Sequence, residues 1–287
     1  IDVMSEVAFV VMDLIHHQRP DLASVFLSSY LEVTGDYDGL TLLRHFLVYR
    51  AMVRAKVSAI RASQEKANSD AHRQALGETD AFVDLARQCM DYGAGPFLLI
   101  TCGVSGSGKS LLSGRLVGRL GAVRIRSDVE RRRRAVSGED RYSGSARHRT
   151  YGRLESCADK ILGAGFAVIV DATFLTRQFR KRFWDLANEH GVPFCILLLS
   201  APRDVLVRRI VARQAEGRDP SEATVPVLDR QLEDIQPLTA REQEFAVEIE
   251  SASGADLTPV ERYLRRSSRL PLNHRIRRYG VLPRESQ

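Results

Sequence analysis

Gly103, Gly108, Lys109 and Ser110 occupy the four fixed positions of the pattern G-x-x-x-x-G-K-[ST] within FLLITCGVSGSGKS, residues 97–110. Glycine at such positions lets successive backbone N–H groups close on phosphate oxygens, and the positive end of a following helix adds to the attraction. The expected phosphate cradle is therefore Gly103, Val104, Ser105, Gly106, Ser107, Gly108, Lys109, Ser110 and Leu111. Lys109 would carry a mobile charge to β- and γ-phosphates. The Ser110 hydroxyl would be one ligand of Mg²⁺, a cation that keeps most of its waters. A plain Gly/Ser turn is the competing reading. Against it stand the apolar run before the loop and Leu111, Leu112, Leu116 and Val117 at helical spacing after it, which supply the strand–loop–helix context the pattern requires.

Other chemistry-bearing residues follow further strand-like runs. Ser127-Asp128-Val129-Glu130-Arg131 comes after the second such run. An Asp there could orient or deprotonate a substrate hydroxyl attacking a γ-phosphate, or it could simply cap a helix. Four successive arginines begin at Arg131. Neighbours on a helix diverge, so one of them faces a common site, and Arg131 is that choice. The third run ends in Asp171-Ala172-Thr173, where a carboxylate could hold Mg²⁺ directly or through water, or bond within its own loop. Thr173 and Arg177 join Asp128 and Arg131 as expected substrate-side residues. Arg180, Lys181 and Arg182 follow, with one or two cations of this group expected at an anionic substrate and the rest solvated. Arg208, Arg209 and Arg213 precede a Gly/Pro hinge at 216–223. That is the composition of a lid whose guanidinium groups neutralise a transferring phosphoryl group; a plain surface helix is the alternative.

Positioning these residues requires alternating strands and helices. Strands are expected near 97–102, 122–126, 167–171, 193–199 and 244–249, with helices near 109–120, 146–163, 177–190, 203–215 and 222–235. That alternation predicts a parallel sheet covered on both faces, with ligands beyond the carboxyl ends of its strands. Residues 1–92 read instead as helices. Met4, Val7, Ala8, Val11, Leu14 and Ile15 form one apolar stripe, and the later Arg44, Arg50, Arg54, Lys56 and Arg61 form an expected solvated face. Gly93-Ala94-Gly95-Pro96 reads as a linker.

Hydrophobic residues make up 44% and charged residues 27% of the 287, a globular balance. No run approaches a membrane span, nor does the N-terminus show a basic segment with a signal-peptide core, so a cytoplasmic protein is expected. Cys89, Cys102, Cys157 and Cys195 form no C-x-x-C pair and are expected reduced and buried. Of the net charge of +6, residues 256–287 contribute most, with eight arginines against Asp256, Glu261 and Glu285. They read as a basic tail, solvated or bound to an anionic partner.

GVSGSGKS, RSDVERRRR, VIVDATF and RIVARQAEGRDPSEA together resemble the P-loop small-molecule and polynucleotide kinases. Gluconate kinases, polynucleotide kinases and zeta-type toxins are similar. The nearest likeness is to the AAA-type ATP-binding domain of bacterial two-part proteins in which an aminoglycoside-phosphotransferase-like domain comes first. The resemblance implies an α/β P-loop NTPase, a three-layer sandwich over about 97–255, using ATP and Mg²⁺. It implies that Asp128 contacts the acceptor hydroxyl and that Arg209 and Arg213 bind ATP phosphates, with Lys109 the fourth catalytic residue and Ser110 and Asp171 at the metal. Residues 1–92 resemble the C-terminal end of the phosphotransferase-like domain, without its catalytic loop. The chain begins at Ile1 and reads as a fragment. The expected activity is transfer of a γ-phosphate to the hydroxyl of a small molecule or, as a second acceptor class, a polynucleotide. The rival is an ATP-binding switch with little acceptor-directed transfer.

Overall fold

A computed structural model describes residues 2–93, 95–133, 144–216, 223–251 and 255–267. The chain divides at Ala94/Gly95 into two compact units. Among the described residues the first holds four helices: α1 (Val3–His16), α2 (Pro20–Thr34), α3 (Leu40–Gln64) and α4 (Asp70–Met90). Asp2 opens α1 by accepting the Met4 N–H at 2.8 Å, and Ser69 opens α4 by accepting that of His72 at 3.1 Å. Met4, Val7, Ala8, Val11 and Ile15 are buried. The expected solvated face of α3 holds only in part. Arg44 Nε donates to Tyr92 O at 2.8 Å, Arg50 pairs with Glu6, and the Arg54 guanidinium lies 5.1 Å from the centre of the Phe82 ring. Long arginine stems cover apolar surface while their heads find acceptors.

The second unit begins with β1 (Leu98–Cys102), α5 (Lys109–Leu120), β2 (Val123–Arg126), α6 (Ser127–Arg133) and α7 (Gly144–Gly163). It continues through β3 (Val168–Asp171), α8 (Arg177–Glu189), β4 (Phe194–Ser200), α9 (Arg203–Glu216) and α10 (Val225–Asp234). It closes with α11 (Ala240–Gln243), β5 (Ala246–Glu250) and α12 (Thr258–Ser267). The five strands form one sheet in the order β2-β3-β1-β4-β5, and every pairing is parallel. Every residue of β1 is buried, as a central strand covered on both faces must be. Leu99, Ile169 and Leu197 pack with Leu112, Leu116 and Val117 of α5 on one face, and α7 and α8 lie against the sheet as well. The connection after β1 runs to β2 on one side and the connection after β3 runs to β4 on the other, which opens a crevice at the carboxyl ends of β1 and β3, where open α/β sheets take their ligands.

The structure differs from the sequence expectation where the basic tail begins. Leu257, Val260 and Leu264 are at most 1% exposed and belong to the α5-side core, so residues 257–267 are part of the sheet unit. All four cysteines are buried and unpaired with one another. Among the described residues, no helix is long and apolar enough to cross a membrane.

Candidate functional site

Between β1 and α5 the backbone takes positive φ at Gly106 (84°) and Gly108 (87°), a conformation that side chains disfavour. The space is closed as well. A Cβ on Gly106 would lie 2.8 Å from Leu206 O, and one on Gly103 would collide with Leu199 O. α5 starts with no side-chain cap, which leaves its first N–H groups available to a ligand. Ser107 Oγ is buried and, among the described residues, has no hydrogen-bond partner. A tight turn of uncapped donors with an orphaned hydroxyl fits a polyphosphate.

Lys109 Nζ donates to Val104 O at 2.7 Å. Burial pushes its pKa below the ordinary lysine value; Asp171 and Asp128 oppose that shift, and Arg213 adds to it. These four charges therefore share one electrostatic environment.

A cavity of about 470 Å³ lies over the loop. It is lined by Ser105, Gly106, Gly108, Lys109, Ser110 and Leu111, and by Asp128, Arg131, Asp171, Thr173, Arg209 and Arg213. Twelve expected site residues thus meet in one place. Gly103, Val104 and Ser107 are not on its wall. Neither is Arg177, which is exposed and whose backbone N–H donates to Gln236 Oε1 at 2.8 Å. Arg134 and the hinge at 217–222 lie outside the described residues.

Asp128 stands in the first turn of α6 and lines the cavity. Arg131 Nη1 donates to its Oδ1 at 3.0 Å, with each side chain 22% exposed. Asp171, 4% exposed, accepts Ser113 Oγ at 3.3 Å and lies 3.6 Å from Arg126 Nε. Among the described residues, no group of three His, Cys, Asp or Glu could hold a metal. One buried carboxylate lining the same cavity as Ser110 fits a cation that draws its other ligands from water and phosphate. Arg209 braces the loop, donating to Gly106 O at 3.2 Å and to Ser251 Oγ at 2.8 Å. Arg213 Nη2 donates to Ala223 O at 3.3 Å, while its Nε is buried with no partner among the described residues.

Several residues of the site carry no sequence motif. Gln231 of α10 accepts the Ser105 N–H at 2.7 Å. Tyr151 and Phe179 stack at 3.9 Å between ring centres, 7° from parallel, and form the wall facing the loop together with Thr150 and Arg147. Tyr151 Oη accepts the Phe174 N–H at 2.9 Å and lies 3.4 Å from Thr173 Oγ1. Phe174 itself has φ of 45°, a conformation that costs a non-glycine residue roughly 1–3 kcal/mol and persists only where neighbours impose it. Arg180, expected near solvent or substrate, is 1% exposed and ion-paired with Glu242 at 2.7 Å.

Residues 98–238 match the family model described as an AAA domain. Proteins of Mycobacterium tuberculosis and Mycobacterium bovis, both described as uncharacterized, are 32% identical over 231 residues. The alignment covers 76% of this chain and 45% of theirs, so the chain spans less than half the length of these relatives. A kinase candidate from Chloroflexus aurantiacus, solved as a crystal structure, shares the fold of the sheet unit. It has a TM-score of 0.50 and 22% identity, over 60% of this chain and 98% of that one.

Proposed function

We propose, from the match of residues 98–238 to the AAA-domain family model, that the protein is an ATP- and Mg²⁺-dependent phosphotransferase of the P-loop kind acting on a hydroxyl. The observation that carries this reading is the meeting of Lys109, Asp128, Asp171 and Arg213 at one cavity over an uncapped helix start. The loop amides and Lys109 would hold the phosphates. Ser110 and Asp171 would hold Mg²⁺, which supplies charge neutralisation when bound. Asp128, kept in place by Arg131, would accept the acceptor's proton as its oxygen bonds to the γ-phosphorus and the bond to the β–γ bridging oxygen breaks, releasing ADP. Arg213 would neutralise charge on the moving phosphoryl group. The work asked of the protein is positioning and electrostatics.

The acceptor wall of Tyr151, Phe179, Thr150 and Thr173 suits a small hydroxyl compound, with a polynucleotide 5′ hydroxyl as the second class. A cytoplasmic setting belongs to the same proposal and rests on four buried free thiols. The test is ADP release measured with ATP alone and with sugars, sugar acids, aminoglycosides, nucleosides and 5′-hydroxyl oligonucleotides. Stimulation by one acceptor class is expected. Turnover indifferent to every acceptor would identify a nucleotide-driven switch instead.

A further inference from the structure

Arg180 follows Phe179 in α8 and is not itself on the cavity wall. Its side chain is fully buried. Nη1 donates to Phe174 O and Leu175 O, each at 3.2 Å, and to Gln236 O at 3.1 Å; Nη2 donates to Pro237 O at 3.2 Å. Nε and Nη2 also grip Glu242 in a fork, at 2.7 and 3.2 Å. One guanidinium therefore joins two segments far apart in sequence. One is the turn after β3 that carries Thr173; the other is the segment that leaves α10.

Each joined segment bears on the site. Residue Phe174 is held on both sides, its N–H by Tyr151 and its carbonyl by Arg180, in a left-handed conformation that would otherwise relax. Thr173, one residue earlier, lines the cavity, and its carbonyl accepts the Gly103 N–H at 3.0 Å. On the other side, Gln236 N–H donates to Leu175 O at 2.9 Å, and α10 presents Gln231 to Ser105. Glu242 is fixed in turn by Thr239, whose N–H donates to it at 2.8 Å.

We propose that Arg180 is a positioning residue that locks the Thr173 turn and the segment after α10 into one unit, and so sets where an acceptor hydroxyl sits relative to the phosphate loop. This rests on the phosphotransferase reading for its effect on rate, but the mechanical coupling stands apart from it. Lysine keeps the charge and loses the planar fork, so Arg180→Lys separates the two roles. Glu242→Gln loosens the same fork from the other side.

The experiment measures amide hydrogen exchange at 173–176 and 231–242 in the wild type, Arg180→Lys and Glu242→Gln. ATP affinity and, with whichever acceptor the screen finds, kcat are measured on the same proteins well below their melting temperatures. In Arg180→Lys both segments lose protection together, kcat falls by about 10²-fold, the penalty of roughly 1 Å misplacement, and ATP Kd stays within about threefold. Glu242→Gln shows the same pattern more weakly and carries the test if Arg180→Lys does not fold. Protection lost from only one segment, or kcat unchanged while stability falls, overturns the proposal. If the wild type transfers phosphate to no acceptor, the functional reading fails, and the exchange result alone supports or overturns the coupling.

Discussion

Asp128 opposes the effect of burial on Lys109 across the cavity, but the two would act on different parts of the reaction. Asp128→Asn keeps the shape and removes the basic oxygen. Acceptor phosphorylation is expected to fall by about 10²- to 10⁴-fold, with ATP Kd within about threefold by calorimetry. Gly106→Ala is expected to act earlier, because its Cβ would press on Leu206 O at 2.8 Å and its φ of 84° suits glycine; calorimetry should show loss of ATP binding with the fold retained by circular dichroism. Residues of this kind were legible in the sequence because spacing and type alone define a phosphate loop. Tyr151, Gln231 and Arg180 were not legible. Each sits on a helix face whose direction depends on what that helix packs against, and Arg180 shares its stretch with three other cations of the same outward appearance.

At the scale of elements, the central strands β1, β3 and β4 could be read from their apolar runs, since a parallel sheet buries both faces of its central strands. The short α6 and α11 have too few residues for periodicity to show. Glu242 of α11 gives this level its pH signature. Burial pushes its pKa up, but hydrogen bonds from Arg180 and Thr239 outweigh burial and hold it below the ordinary glutamate range. A depressed carboxylate stabilises the fold above its unfolded pKa of about 4.5, and that contribution is lost as pH falls through the lower folded value. Glu242→Gln should therefore lower stability at neutral pH and flatten the acid limb of a denaturation curve below about pH 5. An acid limb as steep as that of the wild type would contradict the assignment.

For the sheet unit as a whole, α12 is where composition misled. Arg262, Arg265 and Arg266 suggest a solvated tail, yet Leu257, Val260 and Leu264 recur at helical spacing among them and complete the core beside α5. Leu264→Ala is expected to cost about 2–5 kcal/mol and to lower the melting temperature by several degrees; a true tail residue would leave it unchanged. The same packing places the strand ends, and with them the cavity, so the central claim is about the assembled unit rather than any one motif. Transfer of labelled γ-phosphate from ATP to the acceptor panel, run side by side with the wild type and Asp128→Asn, tests it most directly. Label should appear on one class of hydroxyl with the wild type and nearly vanish with the variant. Equal labelling by both proteins, or ATP hydrolysed with no acceptor labelled, would contradict it.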